Sequence, residues 1–406
     1  MARGAQGGNG LGFNREALAR TDRFLKEVYV DPGRLPGTLL LVARGGDIAH
    51  LSVQGHADVA SGRLLREDSI FRIYSMTKPI ASVALMMLVE EGRIQLDDPV
   101  AKWIPAWRDL GVFRGGTLRT GWVTEPPARP MLVIDLLRHT AGLTYGFQLA
   151  TNVDAAYRRL GIGVIEKGEM TLDRMVAELA RLPLEFSPGE AWLYSVATDV
   201  VGWLVELVSG QPLETFLAER IFRPCGMADT GFWVREGEAQ RLATCYEHDG
   251  KGGMRVQDQA ETSPFLARPA LVSGGGGLVS TARDYLAFVE ALRTGTPRLI
   301  GRKTLALMTA NHLPGGASLA RLSRGLFSEA AYDGVGFGLG FATTIAIEKT
   351  MIAGSNGDWF WGGAASTFFW CDPAEELSVI FLTQFMPSSL WPVRRQLRTL
   401  IYAALD

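Results

Sequence analysis

Ser75 and Lys78 stand three residues apart, just ahead of Pro79 and an almost wholly apolar stretch, Ile80 to Val89, that ends at Gly92. Proline is comfortable only in the first helical turn, so Pro79 sets the helix start near residues 75–77 and leaves Ser75 at its N-terminal end. One turn separates the two side chains along the same face, and the lysine amine can fold back onto the serine hydroxyl. Burial and the positive helix end both disfavour the ammonium form, which lowers the lysine pKa toward a range where the amine accepts a proton. A serine with such a base can attack a carbonyl carbon. The chain has only seven lysines, so one in this position is informative. The bland reading of the same residues is an N-cap serine followed by a surface lysine.

The elements around this pair read as strands at both chain ends and helices between. Arg15 to Val30 has helical spacing and stops at Pro32-Gly33. Thr38–Ala43 and Ile48–Gln54 read as a hairpin, Met131–Arg138, Leu172–Leu182 and Ala197–Ser209 as helices, and Gly338–Ile347, Trp359–Trp370 and Leu377–Gln384 as strands before a last helix, Leu390–Ala404. The expected fold is α/β of the α+β type: a mostly antiparallel sheet from both chain ends, flanked by helices, with an inserted, mainly helical subdomain. The expected division is 1–95 with 266–406 against 96–265, and the ligand cleft lies between the two.

Composition excludes other classes. The 406 residues hold 41 basic and 43 acidic side chains without long runs of one sign, which leaves no field for nucleic acid or an anionic membrane and favours a small neutral partner. Three cysteines at wide spacing and five histidines without a close ligand pair give no metal site, and no cofactor is expected. The residues after the first arginines are Gly-rich and not apolar, and no apolar run approaches the roughly 20 residues of a membrane span, so the expectation is a cytoplasmic enzyme. No serine sits in G-x-S-x-G, which sets aside a conventional α/β-hydrolase. Gly274 to Gly277 lack a following Gly-Lys-Ser/Thr and read as tight backbone packing near the cleft, with Thr281 and Asp284 capping the next helix.

Phe71-Arg72-Ile73-Tyr74-Ser75-Met76-Thr77-Lys78 resembles the first motif of class C β-lactamases, penicillin-binding proteins and family VIII esterases, with family VIII the nearest pattern. Leu136 to Leu143 and Ser273 to Ala282 are similar to framework segments of the same superfamily, so the resemblance runs from about residue 20 to the end. It implies that Tyr194, in Phe186 to Ser195, is the second proton carrier facing Ser75, with Tyr74 as local rival and neighbour of the pocket. It also implies that Trp361-Gly362-Gly363 takes the place of the third motif beside the nucleophile, and that the oxyanion hole is made by the backbone N–H groups of Ser75 and Ala364. Tryptophan cannot make the charge-assisted contact to a substrate carboxylate that a cation in this motif makes. Val196 stands where β-lactam binders usually carry an asparagine. Both departures favour neutral esters, with Trp361 as a flat apolar wall of the substrate pocket.

The leading reading is a serine carboxylesterase that hydrolyses small, short-chain esters through an acyl-enzyme on Ser75, with Lys78 and Tyr194 as a coupled proton-transfer pair. An acyltransferase using the same acyl-enzyme is the alternative. β-Lactamase or D-amino-acid peptidase activity and a non-catalytic scaffold are the weaker readings.

Overall fold

The computed structural model describes residues 11–165, 168–325 and 333–406; the first ten residues of the Gly-rich start lie outside it. The chain opens with helix α1 (Arg15–Leu25), which continues in a wider turn to Val30, and then forms strands β1 (Gly37–Arg44), β2 (Asp47–Asp58) and β3 (Arg63–Leu64). Helix α2 (Thr77–Glu90) follows, and further along the chain come helix α3 (Ala197–Ser209), helix α4 (Ala282–Thr294), strands β4 (Val335–Phe337), β5 (Ala342–Thr344), β6 (Trp359–Gly362), β7 (Phe368–Asp372) and β8 (Leu377–Leu382), and helix α5 (Val393–Tyr402). The sheet order is β4-β5-β6-β7-β8-β1-β2-β3, and every neighbouring pair is antiparallel. The two chain ends meet at β1 and β8, where Leu39 pairs with Leu382 and Arg44 with Leu377.

Side-chain alternation along β1 explains why this strand is apolar at nearly every position. Leu40 and Val42 join the cluster under α1 and α5, with Leu25, Leu397 and Ile401, while Leu39 and Leu41 face the cluster around α2 and α4. The sheet is therefore covered on both faces. Helix α2 is buried from Thr77 to Leu88 and packs against α3; a helix apolar on all sides belongs at the centre. The segment before α2 lies against the turn after β6, where Gly363 approaches the Ile73 carbonyl, and Ser75 follows two residues on.

Two expected strands are hairpins instead. Gly338–Ile347 is replaced by β4 and β5 turning through Gly338–Phe341, where Gly340 (φ 96°) adopts a backbone conformation open mainly to glycine. Trp359–Trp370 is split into β6 and β7, which pair through Trp361 and Phe369 across a turn at 363–367. A continuous apolar run conceals such turns. Two further hairpins are Val112–Thr117 with Gly121–Glu125 and Cys245–His248 with Met254–Asp258, and the second pairs with Phe385–Met386. The expected helix Met131–Arg138 is the single turn Val133–Leu137.

Asp135 anchors that turn. Its buried carboxylate accepts from Arg129 at 2.7 and 2.8 Å, Arg138 at 2.9 Å, Thr140 Oγ1 at 2.9 Å and the Leu132 N–H at 2.9 Å. Burial pushes its pKa up, but hydrogen bonds led by Arg129 outweigh this and hold it below the usual carboxylate range. Breaking such a buried network leaves guanidinium groups uncompensated. Asp135→Ala should therefore lower unfolding stability by about 3–5 kcal/mol, read as a lower urea midpoint, whereas a loss within experimental error would mean that the network does not hold the segment.

Candidate active site

Ser75 lies in a single tight turn, Tyr74–Met76, that runs directly into α2. Tyr74 has φ 43°, a left-handed conformation that costs a non-glycine residue roughly 1–2 kcal/mol. Its ring packs edge-on against Phe265 at 6.2 Å. The turn buries Tyr74 and Met76 and leaves Ser75 partly exposed at the helix N-terminus, where the dipole favours developing negative charge.

Lys78 is buried one turn along. Its Nζ is 2.6 Å from the Gly275 carbonyl oxygen, 3.0 Å from the Tyr145 hydroxyl and 3.3 Å from Ser75 Oγ. A neutral amine has two N–H donors and one lone pair. With the donors directed to Gly275 and Tyr145, the lone pair is left for the Ser75 O–H. Burial brings the Lys78 pKa down to about 7, and the nearby Asp199 carboxylate opposes that fall.

Asp199 and Tyr145 are the partners that sequence reasoning missed. Asp199, in the first turn of α3, accepts from Ser273 Oγ and from the Gly275 N–H at 3.0 Å. Gly275 thus offers its N–H to Asp199 and its carbonyl to Lys78, so the carboxylate positions the loop that holds the amine. A Cβ on Gly275 would lie 2.6 Å from Asp199 Oδ2, and one on Gly274 would lie 2.7 Å from the Thr198 carbonyl oxygen, which explains the glycine run as close packing. Neither carried a local signal: α3 holds a second carboxylate, Glu206, and Tyr145 is one of nine tyrosines.

Tyr194 precedes α3, and its ring centroid lies 4.5 Å from Lys78 Nζ. Burial pushes its phenol pKa well up, while hydrogen bonding with Ser75 and Trp361 pulls it back in part, so at neutral pH it keeps its proton. His139 closes its helical turn at φ 57° and packs against Tyr194 at 5.0 Å. Its imidazole is held neutral by burial and by repulsion from Lys78.

A pocket of about 520 Å³ opens over Ser75 and is lined by Tyr74, Tyr145, Tyr194, Gly362, Gly363 and Ala364 among others. Ser75, Lys78 and Tyr194 thus come together, with Tyr74 at their side. The Ala364 N–H donates to no acceptor among the described residues, and Ala364 lines the same pocket as Ser75. Gly363 approaches the Ile73 carbonyl so closely that a Cβ would overlap it. Trp361 is placed differently from the expectation. Alternation along β6 turns its side chain away from Gly362, and at 1% exposure it packs behind Tyr194 at 5.5 Å, lining a neighbouring cavity of about 320 Å³. The pocket does contain a cation, Arg394 of α5, whose guanidinium donates to the carbonyls of Gly363 and Thr367 at 2.9 Å each. Burial brings its pKa down to about 9, opposed by Tyr194.

Among the described residues there is no group of three potential metal-binding side chains, and no helix is long and apolar enough to cross a membrane. A family model described as Beta-lactamase matches residues 24–403. Esterase EstB of Burkholderia gladioli is 34% identical over 391 residues, covering 91% of each chain. A lovastatin esterase of Penicillium rubens is 28% identical, covering 86% of this chain and 89% of its own. The solved structure of EstCE1, described as a hydrolase with promiscuous acyltransferase activity, superposes with a TM-score of 0.81 at 28% identity, over 95% of this chain and 99% of its own.

The Asp199–Lys78 attraction has a pH signature. Asp199→Asn can keep the contact to the Gly275 N–H but removes the charge that favours the ammonium form. The acid limb of the activity profile should then move to lower pH by about one pH unit. An unmoved or raised limb would show that Asp199 does not act on Lys78 electrostatically.

Proposed function

The chain belongs to the beta-lactamase family and is a serine hydrolase, and from that footing we propose that it is a carboxylesterase of the family VIII type, cleaving short-chain esters through an acyl-enzyme on Ser75. The observation that carries this is the desolvated Lys78 amine, held against the Gly275 carbonyl and the Tyr145 hydroxyl and 3.3 Å from Ser75 Oγ. The neutral amine takes the Ser75 proton as Oγ bonds to the ester carbonyl carbon, and the oxyanion is received by the N–H groups of Ser75 and Ala364. The bond to the alcohol oxygen breaks, and that oxygen receives the proton from Lys78 by way of the Tyr194 phenol, which gives one proton as it takes another. Water then repeats the sequence. It loses a proton to the same pair, the acyl–Oγ bond breaks, and Ser75 regains its hydrogen.

Ester specificity is supported by the recognition groups. No cation stands at position 361, and Arg394 directs two of its bonds to backbone carbonyls, so the carboxylate of a β-lactam or peptide meets weaker recognition than a lysine in the third motif would give. EstB supports the esterase activity by similarity. Acyl transfer to an alcohol is the second reading, favoured by a pocket walled largely by apolar groups and by the similarity to EstCE1, a hydrolase with promiscuous acyltransferase activity. In that case an alcohol O–H replaces water in the second step and a new ester leaves. The reading includes a cytoplasmic location, which three cysteines outside any disulfide suit.

Incubation with a chromogenic short-chain ester should give rapid turnover and an acyl adduct on Ser75 by intact mass, with little turnover of a chromogenic cephalosporin. Efficient cephalosporin cleavage would overturn the ester preference, and added alcohol that diverts product from acid to ester would select the transferase reading. Ser75→Ala should abolish the adduct, and Lys78→Ala and Tyr194→Phe should each lower turnover by about 10²–10⁴-fold. Because the base must be unprotonated, kcat/KM should rise with pH through about 7; a profile flat from pH 5 to 8 would remove Lys78 from that role.

A further inference from the structure

Phe147 is an exposed aromatic ring at the mouth of the Ser75 pocket. It lines that pocket, is 58% exposed, and stacks on Tyr145 with ring centroids 4.7 Å apart and planes 20° from parallel. Tyr145 in turn contacts Lys78 at 3.0 Å. The turn that carries Phe147 is held in place: Gln148 Nε2 donates to the Tyr194 carbonyl at 3.4 Å, and Leu149 takes a left-handed conformation at φ 54° that a non-glycine residue adopts only when its surroundings impose it. Val164, 41% exposed, and Ile165 continue the apolar surface along the same rim. The water-facing apolar surface therefore begins at the proton carriers and runs outward.

Reaction geometry assigns one limb of the ester to it. The alcohol oxygen must leave beside Lys78, Tyr145 and Tyr194, because it takes its proton there. The acyl carbon is bonded to Ser75, and the alcohol limb departs from it toward the pocket residues next to these groups, among them Phe147, which stacks on Tyr145. At about 520 Å³ the pocket is in the range of cavities that hold drug-sized ligands, well beyond the needs of a two-carbon alcohol. We propose that Phe147, with Val164 and Ile165, forms an alcohol-limb subsite that takes flat, aromatic or comparably large apolar alcohols. This rests on the esterase reading and adds the substrate class. An aromatic ring laid on Phe147 gains an offset-stacked contact and covers exposed apolar surface, whereas a small alkyl alcohol does not reach it.

The test compares 2-naphthyl acetate with ethyl acetate, which share an acyl group and differ in the alcohol. In Phe147→Ala the ratio of kcat/KM for the naphthyl ester to that for the ethyl ester should fall about tenfold, equivalent to ~1.4 kcal/mol, and Phe147→Trp should restore most of it. The competitive inhibition constant of 2-naphthol should weaken by a similar factor in Phe147→Ala alone. An unchanged ratio with unchanged naphthol inhibition would overturn the subsite. Failure of the underlying reading looks different: with neither ester does the wild-type protein form acetyl-Ser75 by intact mass, whatever stands at position 147.

Discussion

A primary amine with almost no access to water is the constraint around which this molecule is arranged. Burying an ammonium ion is costly unless it is paired, and a lysine in that position tends to give up its proton. Lys78 meets this with two acceptors for its N–H groups and a carboxylate one residue-contact away, at Asp199 through Gly275. The balance leaves the amine near neutrality at about pH 7. A closer or more direct carboxylate would keep the proton on the amine and end its use as a base.

Glycines make this arrangement sterically possible. Gly274 and Gly275 let the loop lie against α3, where a methyl group would meet Thr198 and Asp199. Gly363 lets the turn after β6 approach the carbonyl of Ile73, two residues before the nucleophile. Three segments far apart in the chain, at about 75, 275 and 363, thereby converge within contact distance, each supplying backbone groups to the same few atoms. The central strands and α2 give them a fixed reference, since β1, β7 and β8 are buried almost throughout and α2 is buried from Thr77 to Leu88.

Charge in the pocket is distributed differently from what the third motif suggests. Trp361 is part of the support for Tyr194, packed between it and Phe337 at 5.5 and 5.2 Å. The cation is Arg394, which reaches the turn from the last helix and braces its carbonyls. The pocket is lined besides by Gly362, Gly363, Ala364 and Met386, and by Tyr74, Tyr145, Tyr194 and Phe147.

Local signals were sufficient to place Ser75 and Lys78 together at the start of α2. Pro79, the Ser75–Lys78 spacing and the apolar run from Ile80 each act within a few residues, and the apolar strands at both ends specified one buried antiparallel sheet. The glycine run was also legible as close packing. Tyr145, Asp199 and Arg394 were not, because nothing near them in the chain distinguishes a buried partner from an ordinary tyrosine, a helix-start carboxylate or a surface arginine. Trp361 was misplaced for a related reason: strand alternation makes neighbouring residues face opposite sides, and which side faces the pocket depends on the pairing of β6 with β5 and β7. The sequence by itself therefore determined which groups can do chemistry and where helices and strands form. The tertiary structure alone decided which distant groups share a desolvated space with Lys78, since burial and electrostatic coupling depend on distances through space and not along the chain.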